Sequence, residues 1–102
     1  MSGQNVWEVF SNETPEVAEA WINLSNAINI DGVLDEKTVC LIKIGVYSTI
    51  RDPVALRHFV HQALGAGASK KEIQAAALMG WGTGVTVAEL SIPLIKEIVD
   101  SS

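Results

Sequence analysis

Cysteine, positive charge and long apolar runs are all scarce in this 102-residue sequence. The single cysteine, Cys40, excludes an internal disulfide framework and any CxxC redox pair within one chain. Seven Lys and Arg stand against 12 Asp and Glu, giving a net charge of −5 at pH 7. With no basic patch beyond Lys70–Lys71, nucleic acid and anionic membrane surfaces are not expected partners. Apolar stretches are broken by Lys43, Arg51 or Arg57 before they reach the length of a bilayer span. Residues 1–5 show neither the charged nor the apolar region of a signal peptide, so a cytoplasmic location is expected. Low-complexity segments, long linkers and internal repeats are also missing, and one domain over residues 1–102 is the expected organisation.

What is abundant is apolar side chain. Hydrophobic residues make up 48% of the chain, and the mean hydropathy is +0.26. A domain this small has much surface and little interior. Its surplus of apolar residues points to burial between subunits, hence to an oligomer.

The punctuation is that of a helical bundle, and the expected fold class is all-α. Val6, Trp7, Val9 and Phe10 suggest a short helix or packed arm. Thr14-Pro15-Glu16 combines a hydroxyl cap, a first-turn proline and an acid near the positive end of the dipole. That helix runs to about Ile28, with Val17, Trp21, Leu24 and Ile28 on one face. Asp31-Gly32 turns the chain, and Asp35 caps a second helix over about 36–49. Its β-branched residues also suit a strand; the cap, the length and the helical context favour a helix. Being apolar nearly all round, apart from Lys37 and Lys43, it is expected to be central. Asp52-Pro53 opens a third helix, ended by Gly65 and Gly67. Ser69-Lys70-Lys71-Glu72 fits a capping box and starts a fourth, running to about Met79. Gly80, Gly82 and Gly84 flank Trp81 in an expected tight connection, and a last helix spans about 85–100. Pro93 predicts a kink or break in it.

Leu34-Asp35-Glu36-Lys37-Thr38, the apolar helix, and Ala63-Leu64-Gly65-Ala66-Gly67-Ala68-Ser69-Lys70-Lys71-Glu72-Ile73 together resemble the carboxymuconolactone decarboxylase / alkyl hydroperoxidase D family. The glycine-rich turn at Gly80–Gly84 fits the same pattern. The resemblance is strongest over 34–95. It implies an alkyl hydroperoxidase D-like bundle around a central antiparallel helical hairpin, assembled as trimers or hexamers.

In the family's redox branch a glutamate precedes a CxxC pair, and a histidine follows four residues beyond the second cysteine. Anchored on Leu34–Thr38 and Ala63–Ser69 without a gap, those four positions fall on Cys40, Asp52, Ala55 and Phe59. All four are changed. A peroxidase of this type needs a low-pKa thiolate, a resolving thiol and a proton relay. Asp52 and Ala55 supply no sulfur, which makes alkyl hydroperoxide reduction the least favoured activity. The decarboxylase branch places its histidine at the same helix position, here Phe59. His58 is one residue away, a rotation of about 100° on a helix.

His58 and His61 share a helix face with Arg57. They form either an acid/base and anion-binding cluster or a solvated face opposite Leu56, Phe59, Val60 and Ala63. No third ligand at suitable spacing makes the pair a metal site, and no cofactor is expected. Arg51 is a candidate carboxylate clamp or a surface charge, Asp52 a helix cap, and Cys40 core filler. Trp81 is expected either to line a pocket or a subunit contact or to pack in the core. Two readings follow. One is cofactor-free acid/base chemistry on a small carboxylated lactone or ring acid, with His58 or His61 moving the proton and Arg57 or Arg51 holding the carboxylate. The other is a non-catalytic oligomer, a small-molecule-binding or assembly module with a degenerate site.

Overall fold

A computed structural model describes residues 5–102; residues 1–4, part of the segment read above for signal-peptide features, lie outside the described residues. Every regular element among the described residues is helical: six α-helices and one 3₁₀ turn. The all-α expectation is met, and the β-branched stretch over 36–49 forms a helix, not a strand. The chain separates into two compact units, the residues up to Leu34 and Asp35–Ser102.

The first unit pairs α1 (Val6–Glu13) with α2 (Pro15–Ile28). Asn5 caps α1, its side chain accepting from the Glu8 amide at 2.8 Å, and Trp7 meets Phe10 edge to face. Thr14 does not cap α2 as expected. Its backbone (φ −134°, ψ 68°) turns the hydroxyl back toward α1, where it donates to the Phe10 carbonyl at 2.9 Å. Proline at the first position therefore starts α2 without a side-chain cap. After α2 the Asn29 side chain clasps the loop, donating to the Leu34 carbonyl and accepting from the Leu34 amide. Gly32 makes the left-handed turn inside that clasp (φ 61°). Ala18 is the buried residue of α2, whereas Val17, Trp21, Leu24 and Ile28 are exposed.

The second unit is built on α3 (Glu36–Thr49), α4 (Pro53–Gly65) and α5 (Lys70–Leu78). The side chains of Asp35, Asp52 and Ser69 each accept from the backbone amide three residues on, closing the three helix starts. At Ser69 the reciprocal bond from its own amide to Glu72 completes the capping box. Helix α4 ends in a Schellman motif: the Ala68 amide reaches the Ala63 carbonyl and the Gly67 amide reaches Leu64. Gly67, at φ 91°, carries the positive dihedral, while Gly65 is still helical.

Three residues connect α3 to α4, and the two fold back as an antiparallel hairpin: Cys40 shares a core with Ala63, and Tyr47 stacks on Phe59. Against its other side α3 takes α5 in parallel register. The Lys37 ammonium meets Glu72 at 2.7 Å, and Gly45 and Gly80 lie close enough to the facing chain that added Cβ atoms would touch the Ala76 carbonyl and overlap Thr49 Oγ1. Missing side chains at these two glycines are what let the backbones approach. Helix α3 is thus central to this unit, yet not wrapped. Cys40 and Ile44 are buried, while Ile42, Val46 and Ile50 are about half exposed or more.

The glycine-rich segment differs from the expected connection. Met79–Gly82 forms a 3₁₀ turn with right-handed helical dihedrals at both ends, and α6 (Thr83–Asp100) begins at once. Glycine tolerates helix here because the turn only tightens, from α to 3₁₀, without reversing. Lys70–Asp100 is consequently one helical run of 31 residues, long and apolar enough by length and composition to cross a membrane. The expectation that apolar stretches stay shorter than a bilayer span does not hold here, because Gly80–Gly84 continues the helical run and joins two segments into one. Pro93 does not interrupt α6 either. Within the Asp35–Ser102 unit the helix packs on the preceding 3₁₀ turn and on no other helix, and none of its residues is buried.

Two measurements check this packing. Gly80→Ala gains up to about 1 kcal/mol of helix propensity but forces Thr49, whose hydroxyl is bonded to the Gly45 carbonyl, to move, costing about 1–3 kcal/mol. A lower melting temperature is expected, whereas Gly84→Ala, with nothing near its added Cβ, should raise it. Lys37 and the Ser69 amide hold Glu72 below the ordinary glutamate value of 4.5, and the Thr38 amide lowers Asp35 likewise. These groups bind protons less readily folded than unfolded. Their stabilisation is therefore full above the ordinary carboxylate range and lost as pH falls through the depressed values. Glu72→Gln keeps an acceptor for the Ser69 amide, so it should flatten the fall in melting temperature between neutral pH and about pH 3.5.

Candidate functional site

The four positions that the resemblance assigns to the redox branch's working groups all fall in the α3–α4 hairpin and its connection. Cys40 is 2% exposed and packs with Ile44, Ala63 and Ala68. Burial pushes its thiol pKa up, and the Glu36 carboxylate pushes it further. Asp52 spends its carboxylate on the Ala55 amide at 3.0 Å. Ala55 is half-buried. Phe59 packs against the core cluster, lies flat on Tyr47 at 5.4 Å between centroids, and meets the edge of His58 at 4.8 Å. The Lys43 ammonium sits 4.7 Å above its ring. Apolar packing and a helix cap occupy these four positions, and none of them presents an exposed nucleophile.

The polar candidates lie elsewhere. Arg57, His58 and His61 are exposed on α4, and none has an ion-pair partner among the described residues. Arg51 sits in the α3–α4 connection, also exposed. Trp81, in the 3₁₀ turn, is 82% exposed. None of these five lines the cavity of about 610 Å³ that runs along α3 and the end of α5. That cavity is an open groove walled by Leu41, Ile42, Val46, Ile50, Met79 and the small residues between them. Thr38 and Thr49 supply its only hydroxyls, and no ionisable side chain lines it. The Thr49 hydroxyl is already engaged, donating to the Gly45 carbonyl at 2.8 Å. No cluster of three metal-ligating side chains occurs among the described residues.

Arg51 carries a feature that the sequence hides. It stands at φ 60°, the αL position of a second Schellman motif in which the Asp52 amide bonds to the Tyr47 carbonyl and the Arg51 amide to Ser48. Glycine or asparagine normally fills that place. An arginine there is strained by about 1–2 kcal/mol.

One comparison with known proteins identifies the class of this all-helical chain. The model of the carboxymuconolactone decarboxylase family matches residues 15–91, three-quarters of the chain, and the protein belongs to that family. No curated protein and no solved structure matches the chain.

Relief of the αL strain gives a direct test of Arg51. Arg51→Gly is expected to raise stability by about 0.5–1 kcal/mol, the strain relieved being partly offset by the greater freedom of unfolded glycine. Chemical denaturation of the two proteins measures it. A loss of stability would mean that the arginine side chain holds a contact worth more than its strain.

Proposed function

We propose that this carboxymuconolactone decarboxylase family protein acts as a non-catalytic assembly module, its family site degenerate and its working surface the apolar groove along α3. The observation that carries this reading is the lining of the groove, which presents no ionisable side chain. General acid/base chemistry needs a titratable group within hydrogen-bond reach of the reacting atom, and an uncharged trough provides none. The hairpin supports the same reading, since Phe59 and a desolvated Cys40 fill the place of a proton relay and a thiolate would be disfavoured there. An uncharged, apolar trough suits an apolar occupant, and the chain's own surplus of apolar side chain makes self-assembly its first use.

One observation favours the acid/base reading. Arg57, His58 and His61 lie exposed together on α4 with no internal ion-pair partner, and a neighbouring subunit laid over that strip would enclose a cation and two titratable groups. Carboxylated lactones and β-keto acids are the substrates such a cluster would handle. Turnover of these compounds by the wild-type protein and by a His58→Ala/His61→Ala variant separates the readings. The assembly module gives no turnover above buffer in either protein. Wild-type turnover that falls by about 100-fold or more in the variant, the scale of a general acid/base contribution, would establish the enzyme.

A further inference from the structure

Helix α6 is the least explained element of the molecule. Eighteen residues long, it packs within the Asp35–Ser102 unit on the 3₁₀ turn before it and on no other helix of that unit, with Val87, Leu90, Leu94 and Ile98 between 48% and 68% exposed. Rich in Val, Ile and Thr and carrying Pro93 inside it, α6 has little helix propensity of its own, so packing against a partner is what would hold it. The arrangement of its charges says which way. At 100° per residue, Glu89, Lys96, Glu97 and Asp100 fall within one sector of about 100°, and the Lys96–Asp100 ion pair closes across it. The opposite side is apolar or small, with Ser91 at its middle.

The groove along α3 is the matching half. Its α3 wall runs from Thr38 to Ile50, about 18 Å of helix, and carries no charge. The first twelve residues of α6, Thr83–Leu94, span the same length and contain one ionisable side chain, Glu89, on the sector facing away. Resting on the assembly reading above, we infer that α6 of one copy seats in the α3 groove of a second copy, apolar sector inward and charged sector to solvent. Aliphatic side chains lose on the order of 100 Å² each on burial. A helix given and a helix received bury roughly 800 Å² per partner, the size of a stable interface. A bilayer is the less suitable cover, because the four charges would face lipid.

Mixing two variants that each carry one added cysteine tests the seating without depending on any activity. One chain carries Val46→Cys in the groove, the other, distinguished by an affinity tag, Ser91→Cys on α6; both positions accept cysteine at little structural cost, and the buried Cys40 stays out of reach of reagent. A short bis-maleimide should yield the tagged-untagged covalent pair, with none from wild type. Val46→Glu, placed on an exposed part of α3 so that helicity by circular dichroism is retained, should weaken association by at least roughly tenfold in light scattering. Monomeric wild type at tens of micromolar would overturn both this interface and the assembly reading. An oligomer that gives no Val46–Ser91 product and tolerates Val46→Glu would overturn the interface alone. Recovery of the wild-type chain on neutral phosphatidylcholine vesicles would overturn it in favour of a bilayer.

Discussion

Close approach of α3 to α5 is the contact on which the Asp35–Ser102 unit depends. Gly45 and Gly80 remove the side chains that would hold the two helices apart, Lys37 pairs with Glu72 at one end, and Thr49 fills the space beside Gly80 at the other. Backbones brought this near make a thin layer, and a thin layer has little interior. Only Cys40, Ile44, Ala63 and Ala68 are buried there. Apolar side chains beyond what so small a core can take are left on the outer face of α3 and along α6, and from that imbalance the groove, the unpartnered helix and the inferred interface all follow.

The same packing decides the chemistry. A thiol-based family site needs an electropositive, accessible pocket between α3 and α4. Here that space is closed by stacking of Phe59 on Tyr47 and by the aliphatic cluster around Cys40. The polar side chains Arg57, His58 and His61 stand on the exposed face of α4. Function in this chain is accordingly sought at its surfaces.

Much of the fold was legible in the sequence because it is written in local chemistry. Asp35, Asp52 and the Ser69–Glu72 box cap the helices they announce, and Gly67 ends α4, since each bond spans only a few residues. The burial of Cys40 was legible from the helix around it. Misreadings arose where a residue has more than one use. Glycines at 80, 82 and 84 read as a break but serve a close approach and a tightened helical turn. Thr14 has a cap's side chain and bonds backward instead. Arg51 sits in a left-handed position that no propensity assigns to arginine. The face of α2 carrying Val17, Trp21, Leu24 and Ile28 has helical spacing, and spacing alone does not say what covers it. For the candidate site, the sequence left a cluster and a solvated face open for His58 and His61, and it did not give the exposure of Trp81, because exposure depends on packing between distant segments.

Backbone hydrogen exchange along α6 in the native protein tests the central claim most directly. A helix covered by a second copy should exchange as slowly as α3, and its protection should fall on dilution. Amides of Val87–Val99 that exchange at nearly unprotected rates at every concentration, while α3 stays protected, would contradict the account.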